Sequence, residues 1–143
     1  MPKAHLSRRY HFSASHRLHS EEYGAEENRL VYGKCNNPHG HGHNYTVQVT
    51  LSGPVNAETG MVCDLAELDA FAAMHLLDRF DHANLNTLDC FRKSVSTTEN
   101  LSIEIYRIFA GFPAAHLERV HVEETSNNSF DYTEDTKHVP GKI

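Results

Sequence analysis

The chain has 143 residues, a formal net charge of −6, and 39% hydrophobic against 22% charged residues. That is the size of one domain with enough apolar matter for a core, which excludes a wholly disordered chain and leaves no room for two ordinary domains. The acidic balance argues against a nucleic-acid partner, and no apolar run approaches the ~20 residues a membrane helix needs.

In chain order, Leu6–Ala14 reads as a strand, with Leu6, Tyr10, Phe12 and Ala14 on one face. A long polar loop is expected from Leu18 to Gly42; its length marks it as a functional loop. The second strand is the clearest element: Tyr45, Val47, Val49 and Leu51 alternate with Asn44, Thr46, Gln48 and Thr50. Gly53-Pro54 and Thr59-Gly60 bracket a turn before a short strand at Met61–Val62. Asp64-x-x-Glu67 resembles a capping box, opening a helix with Leu65, Leu68, Ala72 and Leu76 on one face. A second helix follows Ser96-x-x-Glu99, with Leu101, Ile105, Ile108 and Phe112 inward. Leu117–Thr125 and Ser129–Thr133 read as closing strands, and Thr133–Ile143 as a frayed tail. The order predicts a single α+β domain over 1–143: an antiparallel sheet with helices on one face, whose open edges pair with further copies of the chain.

Histidine is the unusual entry in the composition, 12 of 143 residues, so a bare H-x-H pair carries little weight. His41 and His43 share the parity of the apolar face of the second strand. His16 shares that of the first. If the two strands are antiparallel neighbours, three imidazoles converge at one rim of the sheet. Three histidines with a fourth position open is the catalytic form of a zinc site. The competing readings are a histidine-rich surface loop and a register in which His39, of the same parity, replaces one of the three.

Cys35, six residues before His41, is either an inert loop thiol or a base activated by nearby metal and imidazoles. Cys63 reads as a small buried residue and Cys90 as a linker residue. An odd number of cysteines without C-x-x-C spacing, and no apolar stretch within Met1–Tyr10, predict a soluble cytoplasmic protein with free thiols. Asp81-His82 is a solvated helix-end pair or an oriented acid/base couple. Glu124 shares the inward parity of Val120 and Val122, whereas Glu123 points to solvent. An inward carboxylate needs a partner, which is either a protein cation or the N–H edge of a guanidine-type heterocycle.

Six strings in the right order carry a specific resemblance: F-S-A-S-H-R-L (12–18), G-K-C-N-N-P-H-G-H-G-H-N-Y (33–45), T-G-M-V (59–62), D-H-A-N-L (81–85), V-S-T-T-E-N (95–100) and E-T-S-N-N (124–128). Together they resemble the 6-pyruvoyl-tetrahydropterin synthase family over about residues 6–132. The resemblance implies the tunnelling fold, in which a four-stranded antiparallel sheet with two helices assembles into barrel-forming trimers and then a hexamer. It implies zinc on His16, His41 and His43, and Cys35 as general base with Asp81 and His82 completing the proton-transfer group. It also implies a pterin site at Glu124, with Thr97, Thr98 and Glu99 beside it. The implied enzyme is a carbon–oxygen lyase that turns 7,8-dihydroneopterin triphosphate into 6-pyruvoyl-tetrahydropterin and triphosphate, with Mg2+ accompanying the substrate. His39 departs from the family pattern. It creates a C-x-x-x-H-G-H string, which marks the related 6-carboxy-tetrahydropterin synthase of queuosine biosynthesis, the alternative activity. A metal- or pterin-binding module is the non-enzymatic alternative. Arg8, Arg17 and Lys34 are candidates for holding the triphosphate.

Overall fold

Alternation of apolar and polar residues over two long stretches makes two long strands, β1 (Lys3–His16) and β2 (His41–Pro54). The computed structural model describes residues 2–134. The two strands pair antiparallel along their whole length, from Lys3 opposite Pro54 to His16 opposite His41. One face of the pair carries Tyr10, Phe12, Ala14, Tyr45, Val47, Val49 and Leu51, all buried. The other is a polar ladder in which Ser7 meets Thr50, Arg9 meets Gln48, His11 meets Thr46 and Ser13 meets Asn44. β4 (His116–Glu123) adds to β2 with a bulge at Thr50/Leu51, and β5 (Ser129–Tyr132) adds to β4.

The sheet has five strands, not the four expected. β3 (Ala83–Asn84) pairs parallel to β1, giving the order β3-β1-β2-β4-β5. A two-residue strand has no sequence period, so nothing local announces it. Met61–Val62, expected as a strand, lies in a bend instead.

The apolar face is covered by α2 (Leu65–Ala72), α3 (Asp78–Phe80) and α4 (Thr98–Ala110). Asp64 caps α2 by accepting from the Ala66 amide at 2.9 Å, as its position in the sequence predicts. Between α2 and α3 the chain makes one π-helical turn, Ala73–Leu77. Leu68, Ala72, Leu76 and Phe80 are all fully buried at four-residue spacing. On a regular 3.6-residue helix that spacing drifts by about 40° per step. The wider turn takes up part of the drift and keeps Phe80 on the sheet, 5.8 Å from the Phe12 ring.

α4 begins one residue later than expected. Its cap is Thr97, which accepts from the Asn100 amide, and no capping bond forms between Ser96 and Glu99. Phe112 is buried but lies beyond the helix end. The loop expected over Leu18–Gly42 contains a helix, α1 (Ala25–Tyr32), followed by a 3-10 turn at Gly33–Asn36. α1 lacks an apolar stripe: its buried residue is Asn28, whose side chain holds the Ser20, Tyr23 and Gly24 backbone. Of the expected tail, residues 135–143 lie outside the described residues. Thr133 is tied down, donating to the Glu118 carbonyl at 2.7 Å.

Candidate functional site

The antiparallel register brings the end of β1 beside the start of β2, so His16 stands opposite His41 with His43 two residues on. The three rings meet in pairs at centroid separations of 4.6, 5.1 and 4.8 Å, and one ligand nitrogen from each lies within 4.8 Å of the others. His39 stays out of this group. At Gly40 the backbone takes φ +73°, and a β-carbon there would stand 3.1 Å from the His16 carbonyl oxygen. That turn ends the strand register and leaves His39 exposed.

His16 is 2% exposed, and its Nδ1–H donates to the Ser96 carbonyl at 2.6 Å. With that nitrogen occupied, Nε2 presents its lone pair to the cluster, 3.1 Å from Nε2 of His41. Burial holds His16 and His43 below the ordinary imidazole pKa, so both favour the neutral, ligating form. Nε2 of His43 is buried without a hydrogen-bond partner.

This donor set fits a divalent cation such as zinc. Two nitrogens each about 2.0–2.1 Å from a tetrahedral ion stand roughly 3.3 Å apart, close to the His16–His41 separation. A cation would also satisfy the orphaned His43 nitrogen.

On the β4 side, the carboxylate of Glu124 faces Nε2 of His43 at 3.8 Å and accepts a hydrogen bond from Thr98 in the first turn of α4. The carboxylate is mostly sheltered, with 17% of its side chain exposed. The Tyr45 hydroxyl is buried with no partner, and the polar groups facing it are Glu124 and Thr98. Burial, then the Glu124 charge, raise its pKa and keep it a neutral donor. A carboxylate, a threonine hydroxyl and a phenol, set beside a metal-capable trio, suit a small heterocycle with a guanidine-type edge.

Residues 5–135 match the family described as 6-pyruvoyl tetrahydropterin synthase. The chain belongs to that family. It is 45% identical over 132 residues to the 6-pyruvoyl tetrahydrobiopterin synthase of Homo sapiens, covering 91% of each chain. It is 44% identical over 135 residues to the protein of the same name from Drosophila melanogaster, covering 92% of this chain and 80% of that one. Among solved structures, the 6-pyruvoyl tetrahydropterin synthase of Caenorhabditis elegans superposes with a TM-score of 0.89 at 41% identity, over 94% of this chain and 98% of that one.

The 6-pyruvoyl tetrahydropterin synthase resemblance also singled out Cys35, Asp81 and His82. Cys35 is half-buried on the 3-10 turn, held to the end of β1 by the Leu18 amide donating to its carbonyl at 2.8 Å. Asp81 and His82 sit at the β1 edge. The Ser13 amide donates to Asp81 Oδ1 at 3.0 Å, and the His82 amide donates to the Ser13 carbonyl at 2.6 Å. His82 adopts φ +61° and presents a side chain that is 84% exposed, its Nδ1 3.1 Å from Asp81. The Ser13 amide holds the Asp81 carboxyl below the usual carboxylate range. Among the described residues no hydrogen bond or ion pair joins Cys35, Asp81 or His82 to the three imidazoles.

Thr97 spends its acceptor on the α4 cap, and Glu99 is exposed with no hydrogen bond among the described residues. Burial pushes the Cys63 and Cys90 thiols up, consistent with inert positions. Arg8 is taken by Asp69, with Nε and Nη2 donating at 2.9 and 2.7 Å, and so serves the packing of α2 on β1. Sequence reasoning gave no role in the site to Ser96, Ser13 or Tyr45. Only Tyr45 carried a signal, its shared parity with His43; the other two act through backbone groups, which leave none.

Proposed function

We propose that the chain converts 7,8-dihydroneopterin triphosphate to 6-pyruvoyl-tetrahydropterin with release of triphosphate. The observation that carries this reading is the convergence of His16, His41 and His43 beside the sheltered Glu124–Thr98 pair. The names of relatives more than 40% identical along nearly the whole chain support it.

His16, His41 and His43 would hold zinc, which would supply Lewis acidity toward the hydroxyls of the substrate side chain. Glu124 accepts the N–H edge of the pterin, and Thr98 orients that carboxylate. Cys35 serves as general base. His82, oriented by Asp81 and exposed to exchange protons, serves as the second acid/base group. Thr97 and Glu99 flank the ring pocket, and Mg2+ accompanies the triphosphate.

Because no hydrogen bond or ion pair among the described residues joins Cys35 or the Asp81–His82 pair to the trio, the working site is assigned to subunit boundaries. Among the described residues, the outer strands β3 and β5 have free edges in the single chain. Their pairing with further copies into a barrel, and barrels into a hexamer, would close the site. Three free thiols suit a reducing compartment, and the reaction is assigned to the cytoplasm.

The test is incubation of zinc-loaded protein with dihydroneopterin triphosphate, with triphosphate release and product mass as readouts. Release with a 6-pyruvoyl product is expected. No release would favour a binding module, and a 6-carboxy product would overturn the assignment.

A further inference from the structure

Among the described residues, two buried side-chain polar atoms have no hydrogen-bond partner: Nε2 of His43 and the hydroxyl of Tyr45. A cation would claim the first. The second is harder to explain, because an orphaned buried donor destabilises the folded chain, and phenylalanine would fill the same space without it. Such a group is kept at a cost unless a partner reaches it in another state of the protein.

Its position shows where that partner lies. Tyr45 is on β2, two residues beyond His43 on the same inward face, 1% exposed, with its ring edge-on to that of His43 at 5.6 Å. The last described pair between β2 and β4 is Thr46 with Glu123, so one further step along both chains brings Tyr45 abreast of Glu124. The backbone there is fixed, since the Glu124 amide donates to the Asn128 carbonyl at 3.0 Å. Thr98 donates to Oε2 of Glu124, and Oε1 faces Nε2 of His43 at 3.8 Å. Glu124 and Thr98 are the polar groups that face the phenol.

A count of acceptors leaves room for it. An ionised carboxylate offers about four lone-pair sites. The N–H edge of a guanidine-type heterocycle takes the outward pair, Thr98 takes one, and one inward site remains beside one unused inward donor. We propose that Tyr45 is the positioning residue of the heterocycle site: its hydroxyl, unpartnered in the free protein, closes on the Glu124–Thr98 pair when the heterocycle docks, and locks the carboxylate in its bidentate orientation. The proposal rests on the function stated above. It makes ligand binding relieve an unsatisfied group, so the hydroxyl lowers the stability of the free protein and raises affinity.

Tyr45→Phe tests this, and Tyr10→Phe is the comparison. Tyr10 is a second inward tyrosine, whose hydroxyl already donates to Asp69 at 2.8 Å. The probe is neopterin, titrated calorimetrically into the whole zinc-loaded protein, with urea midpoints measured on ligand-free protein. Tyr45→Phe should leave the midpoint unchanged or raise it, while weakening neopterin at least 10-fold, the loss expected for a hydrogen bond to a charged group. Tyr10→Phe should do the reverse, lowering the midpoint and changing neopterin affinity less than twofold. With dihydroneopterin triphosphate, Tyr45→Phe should raise KM and change kcat less than threefold, because the hydroxyl serves binding alone. Neopterin binding within twofold of wild type in Tyr45→Phe overturns the proposal, as does a midpoint lowered as far as in Tyr10→Phe, or wild-type protein that does not bind neopterin. If Tyr45→Phe loses neopterin as expected but wild-type protein releases no triphosphate, the positioning role stands and the assigned reaction falls.

Discussion

Zinc binding by three residues from two strands should register as folding stability, because the unfolded chain lacks a preformed site. At free zinc 100 times its dissociation constant, the folded state gains about 2.7 kcal/mol. For a domain of this length 1 kcal/mol moves the melting temperature by about 4 °C, so a rise of roughly 11 °C is expected. His41 is the right residue to remove. It is half-buried, and its described hydrogen-bonding contact is with Nε2 of His16, so truncation to alanine should cost the zinc-free protein less than about 1 kcal/mol. His16 is a poorer probe, because its loss also strands the buried Ser96 carbonyl, costing about 1–3 kcal/mol by itself. The assay is thermal unfolding by circular dichroism of chelator-stripped protein at fixed concentration, with and without zinc. His41→Ala should lose most of the rise, and His39→Ala should keep it. Full stabilisation of His41→Ala, or its loss in His39→Ala, would refute the assignment of ligands.

Cys35→Ala should keep the zinc-dependent rise while losing about 10²–10⁴ in turnover, as expected for removal of a general base; a near-normal rate, or a lost zinc response, would assign the thiol another role. His82→Gly should be more stable than His82→Ala by roughly 0.5–1 kcal/mol, since φ +61° strains any residue with a β-carbon; urea midpoints in the usual order, alanine above glycine, would contradict it. Asp69 is held below the usual carboxylate range by hydrogen bonds from Arg8 and then Tyr10. Its contribution is therefore complete above the unfolded value near ~3.9 and is lost as pH falls through the lower folded value. The urea-midpoint gap between wild type and Asp69→Asn should shrink from pH 6 towards pH 2, and a constant gap would remove the argument.

The sequence by itself determined the two long strands and the inward faces of the main helices, and it offered the approach of His16, His41 and His43 as one reading beside a His39 register, which the strand pairing then decided. These follow from periodicity: a strand alternates strictly, so parity assigns a face, and an antiparallel pair puts the end of one strand beside the start of the next. It likewise picked out Glu124 as an inward carboxylate, because one step of parity separates it from the exposed Glu123. The tertiary structure alone decided the rest. α1 has no apolar stripe, and a single buried asparagine organises its entry. β3 is too short to have a period and exists only because β1 offers an unpaired edge. Ser96 looked like a cap, yet its carbonyl is claimed by His16 from 80 positions away, and Thr97 takes the cap instead. Backbone carbonyls and amides are the same in every residue. Which one meets an imidazole or a carboxylate therefore depends on how distant segments pack, and side-chain identity does not record it.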